Sequence, residues 1–211
     1  MRGIEPNLET NLHSFFNLNN TVPFELLICI KNPDDPAIAV VQKLMDLHPQ
    51  VDVKLYIATP DMGFNPKVSN IHTAWKNTES DLLLISDSNV RVEPDYLEML
   101  LAERETGAGL VTQAMYCTDA ANIGAHLDAV QANTFYLKAT AFLSFFNVAV
   151  VVGKCMLFSK ADFEALGGLF SVRNYLAEDS VIADIMKDAG HTIRVAPQLL
   201  RQTSVQTNFK S

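Results

Sequence analysis

The sequence predicts an α/β fold in which a mostly parallel central sheet is flanked by helices. In the first half of the chain, apolar strand-like runs alternate with helical patterns at short spacing. This alternation favours parallel strands joined by right-handed crossovers. Acidic loops follow two of the runs, at Asp34-Asp35 and at Asp87. In such sheets ligands bind beyond the carboxyl ends of the strands, so we expect a site there.

Composition limits the class of protein. The 211 residues suffice for one domain with a substantial core, and we expect a single domain over residues 1–211. Hydrophobic residues make up 48% and charged residues 19%, as in globular proteins. The net charge of −8 disfavours a phosphate backbone as a ligand, so we expect no nucleic-acid partner. The same acidity suits a divalent cation held by carboxylates.

Cysteine usage and hydropathy give further expectations. Cys29, Cys117 and Cys155 are far apart in the chain, and we interpret them as buried thiols rather than a disulfide or zinc framework. The amino terminus lacks the apolar core of a signal peptide. The most hydrophobic stretch, 139–152, is shorter than the roughly 20 residues that a membrane span needs. We expect it to be buried core, with an acceptor entrance or a membrane interface as the alternatives.

The elements of the first half can be placed from periodicity and from proline and glycine. Nearly continuous apolar runs are typical of strands buried on both faces. Proline favours the first position of a helix. We predict strands at 24–30, 53–57, 81–86 and 109–112, with helices after Asp35-Pro36, from Pro66 towards Trp75 and from Pro94.

The second half is less regular. We predict a helix from Ala120 to about Phe142, a strand at 156–158, and a short helix at 161–166 that ends at Gly167-Gly168. A helix over 179–189, stopped by Gly190, precedes a final short strand at 192–195.

Asp34-Asp35-Pro36 is the first candidate motif. An acid at the end of a buried strand can accept hydrogen bonds from a nucleobase or ribose. A simple helix N-cap explains the same residues slightly better.

Asp87-Ser88-Asn89 directly follows the third predicted strand. A carboxylate fixed at a strand end can hold Mg²⁺ or Mn²⁺, which would bridge diphosphate oxygens. The alternative is an ordinary turn.

Gly63-Phe64-Asn65-Pro66-Lys67 places a lysine one residue into a helix. The free N–H groups of the helix start and the lysine could both face a phosphate. A loop–helix junction with a solvated lysine is the alternative.

Ala177-Glu178-Asp179 opens the late helix. The positive end of a helix dipole stabilises an ionised carboxylate, which would be ready to accept a proton. Helix capping alone is the alternative. The preceding Gly167-Gly168-Leu169 suggests a tight loop that sets this helix start against the sheet edge.

Taken in order, these segments resemble ceramide glucosyltransferase and its bacterial relatives, in glycosyltransferase family 21 of the inverting GT-A enzymes. Bacterial proteins linked to hopanoid synthesis share the pattern, so another lipid acceptor stays open. The matching segments are Gly3-Ile4-Glu5-Pro6-Asn7-Leu8, Asn11-Leu12, Phe15-Phe16, Asp34 to Ile38, Gly63 to Lys67, Asp87 to Val92, Gly167 to Leu169 and Tyr175 to Asp179.

The resemblance implies a GT-A fold and a role for each matching acid. It implies that Asp87 holds Mg²⁺ or Mn²⁺ on the donor diphosphate. It implies that Asp179 is the general base for the acceptor hydroxyl. The implied partners are a UDP-sugar, with glucose the first candidate, and a lipid acceptor such as ceramide. The implied donor-binding and substrate-binding residues are Asp35, which would contact the uridine, Lys67, Asn65 and Glu178.

Three departures from the family pattern set expectations about this chain. A Gln-x-x-Arg-Trp motif follows, in the family, the segment that reads Gln202-Thr203-Ser204 here, and this sequence reaches Ser211 without it. The family's membrane anchor and spans are also absent, and Phe135-Tyr136-Leu137-Lys138 stands where the ceramide enzymes have His-Pro-Arg. We therefore expect a truncated domain, soluble or peripheral by itself, whose full-length form acts at the cytoplasmic membrane face.

Two other hypotheses remain at this stage. The chain could be a non-catalytic remnant that binds nucleotide sugar without transferring it, as the missing motif suggests. A nucleotide-binding α/β protein of another chemistry, such as a nucleotidyltransferase, fits the sheet pattern. It does not explain the late Glu178-Asp179 helix start.

Overall fold

The computed structural model describes residues 1, 3–5, 7–19, 21–57, 60–120, 122–146, 148 and 150–203. Pro6, in the matching segment Gly3 to Leu8, lies outside the described residues. Residues 204–211, where the sequence was compared with the family's Gln-x-x-Arg-Trp motif, also lie outside them. The helices are α1 (Leu8–Phe16), α2 (Ala37–Leu47), α3 (Pro66–Asn77), α4 (Tyr96–Glu105), α5 (Ile123–Gln131), α6 (Leu137–Phe145), α7 (Lys160–Ala165), α8 (Gly168–Val172) and α9 (Glu178–Asp188). The strands are β1 (Glu25–Ile30), β2 (Asp52–Ile57), β3 (Leu82–Ser86), β4 (Val90–Arg91), β5 (Leu110–Thr118), β6 (Cys155–Ser159) and β7 (Ile193–Thr203).

The strands form two sheets. β1 and β2 pair in parallel, with Glu25 opposite Asp52 and Ile30 opposite Ile57. The larger sheet has the order β3-β6-β5-β7-β4. Helices flank both, so the predicted α/β fold is confirmed.

The pairing in the larger sheet is mixed, which corrects the prediction of a mostly parallel sheet. β5 and β7 are parallel, whereas β6 runs against both β3 and β5 and β4 runs against β7. A crossover that returns to the amino edge of a sheet produces a parallel strand. The helical segment after β5 instead leads back into the sheet at the carboxyl end of β3, so β6 begins where β3 ends.

The core lies on both faces of the larger sheet. Along β6, Met156 and Phe158 pack on one face with α3, α7 and α9. Cys155 and Leu157 pack on the other face with α4. Side chains alternate between faces along a strand, so an entirely apolar strand such as β6 needs cover on both sides. A third cluster joins β1 and β2 to α1 and α2.

Most predicted elements appear within a few residues of their expected bounds. The final strand is longer than predicted, because β7 extends to Thr203 alongside β5. The sequence patterns did not predict α1, β4 or α8. The helical segment after β5 contains a π-helical stretch, Ala132–Tyr136, between α5 and α6.

The apolar stretch 139–152 is not buried core, contrary to the prediction. Phe142 is 64%, Phe146 58% and Val148 42% exposed, whereas Val151 is buried. The apolar residues of α6 are not gathered on one face, so its periodicity does not identify a buried face. In the part of the chain that the structure describes, no helix combines the length and apolar character needed to cross a bilayer.

All three cysteines are buried and reduced, as predicted. Burial raises the pKa of the Cys155 thiol to about 12, although a hydrogen bond with Tyr96 opposes this shift. Thiols in this state are poor nucleophiles and poor metal ligands, so Cys155 has a packing role.

Candidate active site

Asp87 lies immediately after β3, at the carboxyl edge of the larger sheet. Its Oδ1 forms an ion pair with Lys67 Nζ at 2.9 Å, and its Oδ2 forms one with Lys154 Nζ at 3.0 Å. The strand end fixes the backbone, and the two ammonium groups fix the carboxylate.

The electrostatics of Asp87 reflect two opposing effects. Burial by itself raises the pKa of the carboxyl, and this is the largest single influence. The attraction and hydrogen bonds of Lys67 and Lys154 together outweigh it, so the pKa lies below its ordinary value. Asp87 is therefore an anion at neutral pH.

Asn65 and Lys67 lie at the start of α3. The Asn65 side chain accepts hydrogen bonds from the backbone N–H groups of Lys67 at 2.8 Å and Val68 at 3.0 Å, which makes it the N-cap. Pro66 occupies the first helical position, as predicted. The N-cap directs the Lys67 side chain towards the sheet edge, where its Nζ also donates to the Gly153 carbonyl at 2.5 Å.

Glu178 and Asp179 begin α9 and approach the same place. Glu178 is 8% exposed, and its Oε2 accepts a hydrogen bond from Asn65 Nδ2 at 2.8 Å. Its Oε1 lies 3.4 Å from Lys67 Nζ. Asp179 Oδ2 accepts from the Gly153 N–H at 2.7 Å, and its Oδ1 accepts from the Ser180 N–H at 2.8 Å.

The expected convergence of distant acids at one edge is present. Gly153 links the start of α9 to the ion pair of Lys67 with Asp87. Its N–H donates to the Asp179 carboxylate, and its carbonyl accepts from Lys67. A side chain at this position would meet Lys67 Nζ at 2.8 Å and Asp179 Oδ2 at 3.2 Å. We call Lys67, Asp87, Gly153, Lys154, Glu178 and Asp179 the carboxyl-edge cluster.

Gly153 and Lys154 were not singled out from the sequence. They directly precede β6, and Lys154 Nζ also lies 3.1 Å from Asn89 Oδ1. The available signal was a glycine and a lysine between an apolar run and a buried strand. Its meaning depended on knowing that β6 runs antiparallel and therefore begins at the carboxyl edge.

Asp35 follows β1 but forms different contacts. It is 6% exposed, and its carboxylate accepts hydrogen bonds from the backbone N–H groups of Gly3, at 2.8 and 3.0 Å, and Ala37, at 2.9 Å. The contact with Ala37 is a local hydrogen bond at the start of α2, whose N-cap residue is Pro36 and not Asp35, as the alternative to nucleotide binding had it. α2 begins at Ala37, one residue later than predicted.

A second charged group lies at the end of β5. Asp119 has a φ of 58°, and its carboxylate lies 3.2 Å from Arg201 and 3.9 Å from Arg91. It borders a cavity of about 350 Å³ between the end of β5 and the helical segment that follows. The Asn133 side chain joins the two, since it donates to the Cys117 carbonyl at 2.9 Å and accepts from the Cys117 N–H at 2.7 Å.

The sequence profile described as Glycosyl transferase family 21 matches residues 1–211. The chain belongs to glycosyltransferase family 21. Ceramide glucosyltransferase 1 of Caenorhabditis elegans is 32% identical over 208 residues, which cover 96% of this chain and 44% of the relative. Ceramide glucosyltransferase 3 of the same organism is 29% identical over 98% of this chain and 46% of the relative. The chain thus spans less than half the length of these family members.

Two solved structures show the same GT-A fold as this family 21 chain. The mannosyltransferase PcManGT from Pyrobaculum calidifontis, in complex with GDP-Man and Mn²⁺, has a TM-score of 0.65 and 15% identity over the whole of this chain and 56% of that chain. TarS of S. aureus, residues 1–349, has a TM-score of 0.59 and 14% identity over 93% of this chain and 56% of that chain. The predicted fold and family are therefore confirmed.

The donor set at the carboxyl edge fits a divalent cation only in company with a substrate. Within the described residues, no group of three or more His, Cys, Asp or Glu side chains could hold a metal ion. Asp87 offers one carboxylate, and Mg²⁺ in proteins is commonly held by one or two carboxylates together with substrate phosphates. The cluster is therefore suited to a cation that arrives with a diphosphate.

Proposed function

We propose that this domain carries out the inverting transfer of a hexose, with glucose the first candidate, from a UDP-sugar to a lipid hydroxyl. The observation that carries the proposal is the carboxyl-edge cluster. In it, Gly153 joins the Asp179 carboxylate to the lysine that holds Asp87. The names of the curated relatives, ceramide glucosyltransferases, support both the sugar and the acceptor class.

On the donor side, Asp87 and Lys67 would bind the diphosphate end of the nucleotide sugar. Asp87 would hold a divalent cation, which neutralises the negative charge that develops on the departing diphosphate. Lys67 would donate to a phosphate oxygen from the amino-terminal end of α3, where backbone N–H groups also attract anions. Asn65 and Glu178 would set the position of Lys67. Asn65 Nδ2 donates to Glu178 Oε2 at 2.8 Å, and Glu178 Oε1 lies 3.4 Å from Lys67 Nζ. Asp35 would reach the uridine end.

On the acceptor side, Asp179 would accept the proton of the lipid hydroxyl. The hydroxyl oxygen would then form a bond to the anomeric carbon as the bond from that carbon to the diphosphate breaks, with its electron pair leaving on the phosphate oxygen. This single displacement inverts the anomeric centre and needs the base and the leaving group on opposite faces of the sugar. Two backbone N–H groups, from Gly153 and Ser180, orient the carboxylate for this task.

The lipid acceptor would approach from the helical segment 123–148. Several of its apolar side chains are exposed, and Asn133 fastens the segment to the end of β5 at the carboxyl edge. Such an exposed apolar surface suits contact with a lipid bilayer. The exposed apolar residues of the segment include Ile123, Leu127, Val130, Phe135, Tyr136, Phe142, Phe146 and Val148.

Calorimetric titration of UDP-glucose, with and without Mn²⁺, tests the donor side. We expect binding that Mn²⁺ strengthens, and we expect Asp87→Ala to remove the strengthening. Asp184→Ala is the matched control, because Asp184 is exposed on α9. If Asp87→Ala responds to Mn²⁺ as the parent does, the metal assignment is wrong, and if the parent binds no UDP-sugar, the proposed function is wrong.

Transfer is tested by incubating the protein with UDP-glucose and lipid acceptors in mixed micelles and analysing the lipids by mass spectrometry. We expect a hexose adduct of the acceptor with inverted anomeric configuration. Donor binding without any adduct would instead support a nucleotide-sugar-binding role.

A further inference from the structure

The Asp87 carboxylate has a cation on each of its oxygens. Lys67 lies 2.9 Å from Oδ1 and Lys154 lies 3.0 Å from Oδ2. A divalent cation that bound Asp87 while both ammonium groups stayed would lie within a few ångströms of two positive charges. Like charges repel strongly at such distances in a partly buried site.

The two lysines differ in what else they contact. Lys67 is also held by Glu178, at 3.4 Å, and by the Gly153 carbonyl. Lys67 would therefore keep Glu178 as an anionic partner if the Asp87 carboxylate bound a divalent cation instead. Lys154 contacts Asp87 and the amide oxygen of Asn89, and its side chain is only 16% exposed. Once Asp87 is taken by a cation, Lys154 would be a poorly solvated ammonium group without a carboxylate.

The charge balance of the site also indicates that Lys154 needs a new anionic partner once a cation binds Asp87. Lys67 and Lys154 balance Asp87 and Glu178, the carboxylates with which they pair, and Asp179 adds one negative charge to the carboxyl-edge cluster when no donor is present. A divalent cation alone would make the cluster positive, and a diphosphate alone would make it more negative. The two together change its charge little, and a diphosphate oxygen gives Lys154 a new anionic partner.

We propose that Lys154 is the counter-ion that makes cation binding at Asp87 depend on a nucleoside diphosphate. Lys154 neutralises Asp87 while the site has no donor, and it moves to a diphosphate oxygen when nucleotide and cation arrive. This inference rests on the proposed function, because it assigns a role at the same site. Coupling of this kind is reciprocal, so the diphosphate must also bind more weakly without the cation.

Titration of Mn²⁺ followed by electron paramagnetic resonance, with and without UDP, measures the coupling directly. For the parent protein we expect UDP to tighten Mn²⁺ binding by roughly 5- to 150-fold, the usual range for coupled sites. In Lys154→Met we expect Mn²⁺ alone to bind more tightly and UDP to bind more weakly in the presence of Mn²⁺, so that the coupling falls about tenfold. Lys43→Met removes one positive charge from the surface pair of Lys43 with Glu9, and it should behave as the parent.

Lys154→Arg tests whether a folding defect, rather than the lost charge, explains the smaller coupling of Lys154→Met. It keeps the charge, so we expect it to retain the coupling, and thermal melting of each variant checks that it is folded. The inference alone is overturned if UDP binds but Lys154→Met keeps the coupling of the parent, or if the parent binds Mn²⁺ equally well with and without UDP. Absence of UDP binding by the parent under every condition would overturn the proposed function as well.

Discussion

The backbone N–H of Gly153 lies 2.7 Å from Oδ2 of Asp179. This hydrogen bond fixes the carboxylate at the start of α9 against the residue that precedes β6. The carbonyl of the same glycine accepts from Lys67. One peptide segment thus sets the position of the proposed base relative to the proposed donor-binding lysine.

Replacing Gly153 with alanine should damage the site and spare the fold. The new Cβ would meet Lys67 Nζ at 2.8 Å and Asp179 Oδ2 at 3.2 Å. Both contacts are ends of side chains, which can move, so we expect the melting temperature to change little. Displacing a catalytic group by about 1 Å can cost roughly 100-fold in rate, and we expect a loss of that order in kcat. A cooperative melt like that of the parent, together with unchanged kcat, would show that Gly153 does not position these groups.

Asp179→Asn should abolish most transfer while leaving donor binding intact. The amide can still accept the Gly153 hydrogen bond but cannot take the acceptor proton. General-base catalysis contributes about 10²- to 10⁴-fold, so we expect kcat to fall by that factor while the Kd for UDP-glucose stays constant. Asp184→Asn, on the exposed side of α9, should match the parent in both measurements. Substantial turnover by Asp179→Asn would exclude Asp179 as the base.

The ion pairs of Asp87 should stabilise the fold in a pH-dependent way. The pKa of this carboxyl is lowered from 3.8. The stabilisation is therefore complete above the ordinary pKa and is lost as the pH falls through the lower value of the folded state. We expect Asp87→Asn to melt below the parent at pH 6, with the difference shrinking below about pH 4. A difference that stays constant from pH 6 to pH 3 would contradict the ion pairing.

Removing the Phe163 side chain of α7 from the core should lower the free energy of unfolding strongly. Phe163 is fully buried, with ring centroids 5.3 Å from Phe158 and 5.9 Å from Trp75. Phe163→Ala should lower the free energy of unfolding by about 3–5 kcal/mol, as large-to-small core changes do. Phe64 is 89% exposed, so Phe64→Ala should change it by less than about 0.5 kcal/mol in the same urea titration. Similar values for the two variants would contradict the assigned packing.

The helical segment 123–148 should mediate contact with lipid vesicles. Phe135 is 66% and Phe142 64% exposed. Replacing both with serine should weaken co-sedimentation with phosphatidylcholine vesicles at least about tenfold, given the apolar area lost. Phe170→Ser is the matched control, since Phe170 is 62% exposed on α8, outside the segment. Equal vesicle binding by parent and double variant would rule out this surface.

Local sequence patterns predicted the α/β class, most element positions and the acids of the proposed site. Local signals are strong in these places. Asn65-Pro66 begins a helix because an amide cap and a fixed φ both favour it, and β6 is so apolar that it must be buried on both faces. The carboxylates of Asp87 and Asp179 were identifiable because each falls at the end of an element, where a backbone can hold a side chain at an edge.

Contacts between distant parts of the chain set the features that periodicity cannot encode. They set the antiparallel direction of β6, because the segment after β5 returns at the carboxyl edge, and this brought Gly153 and Lys154 to the site. They also left Phe142 on α6 exposed, since a helix whose apolar residues are not gathered on one face does not specify which face is covered. The reason is physical in both cases: strand direction and burial depend on contacts between residues far apart in the chain, such as Lys154 with Asp87, which local sequence patterns do not record.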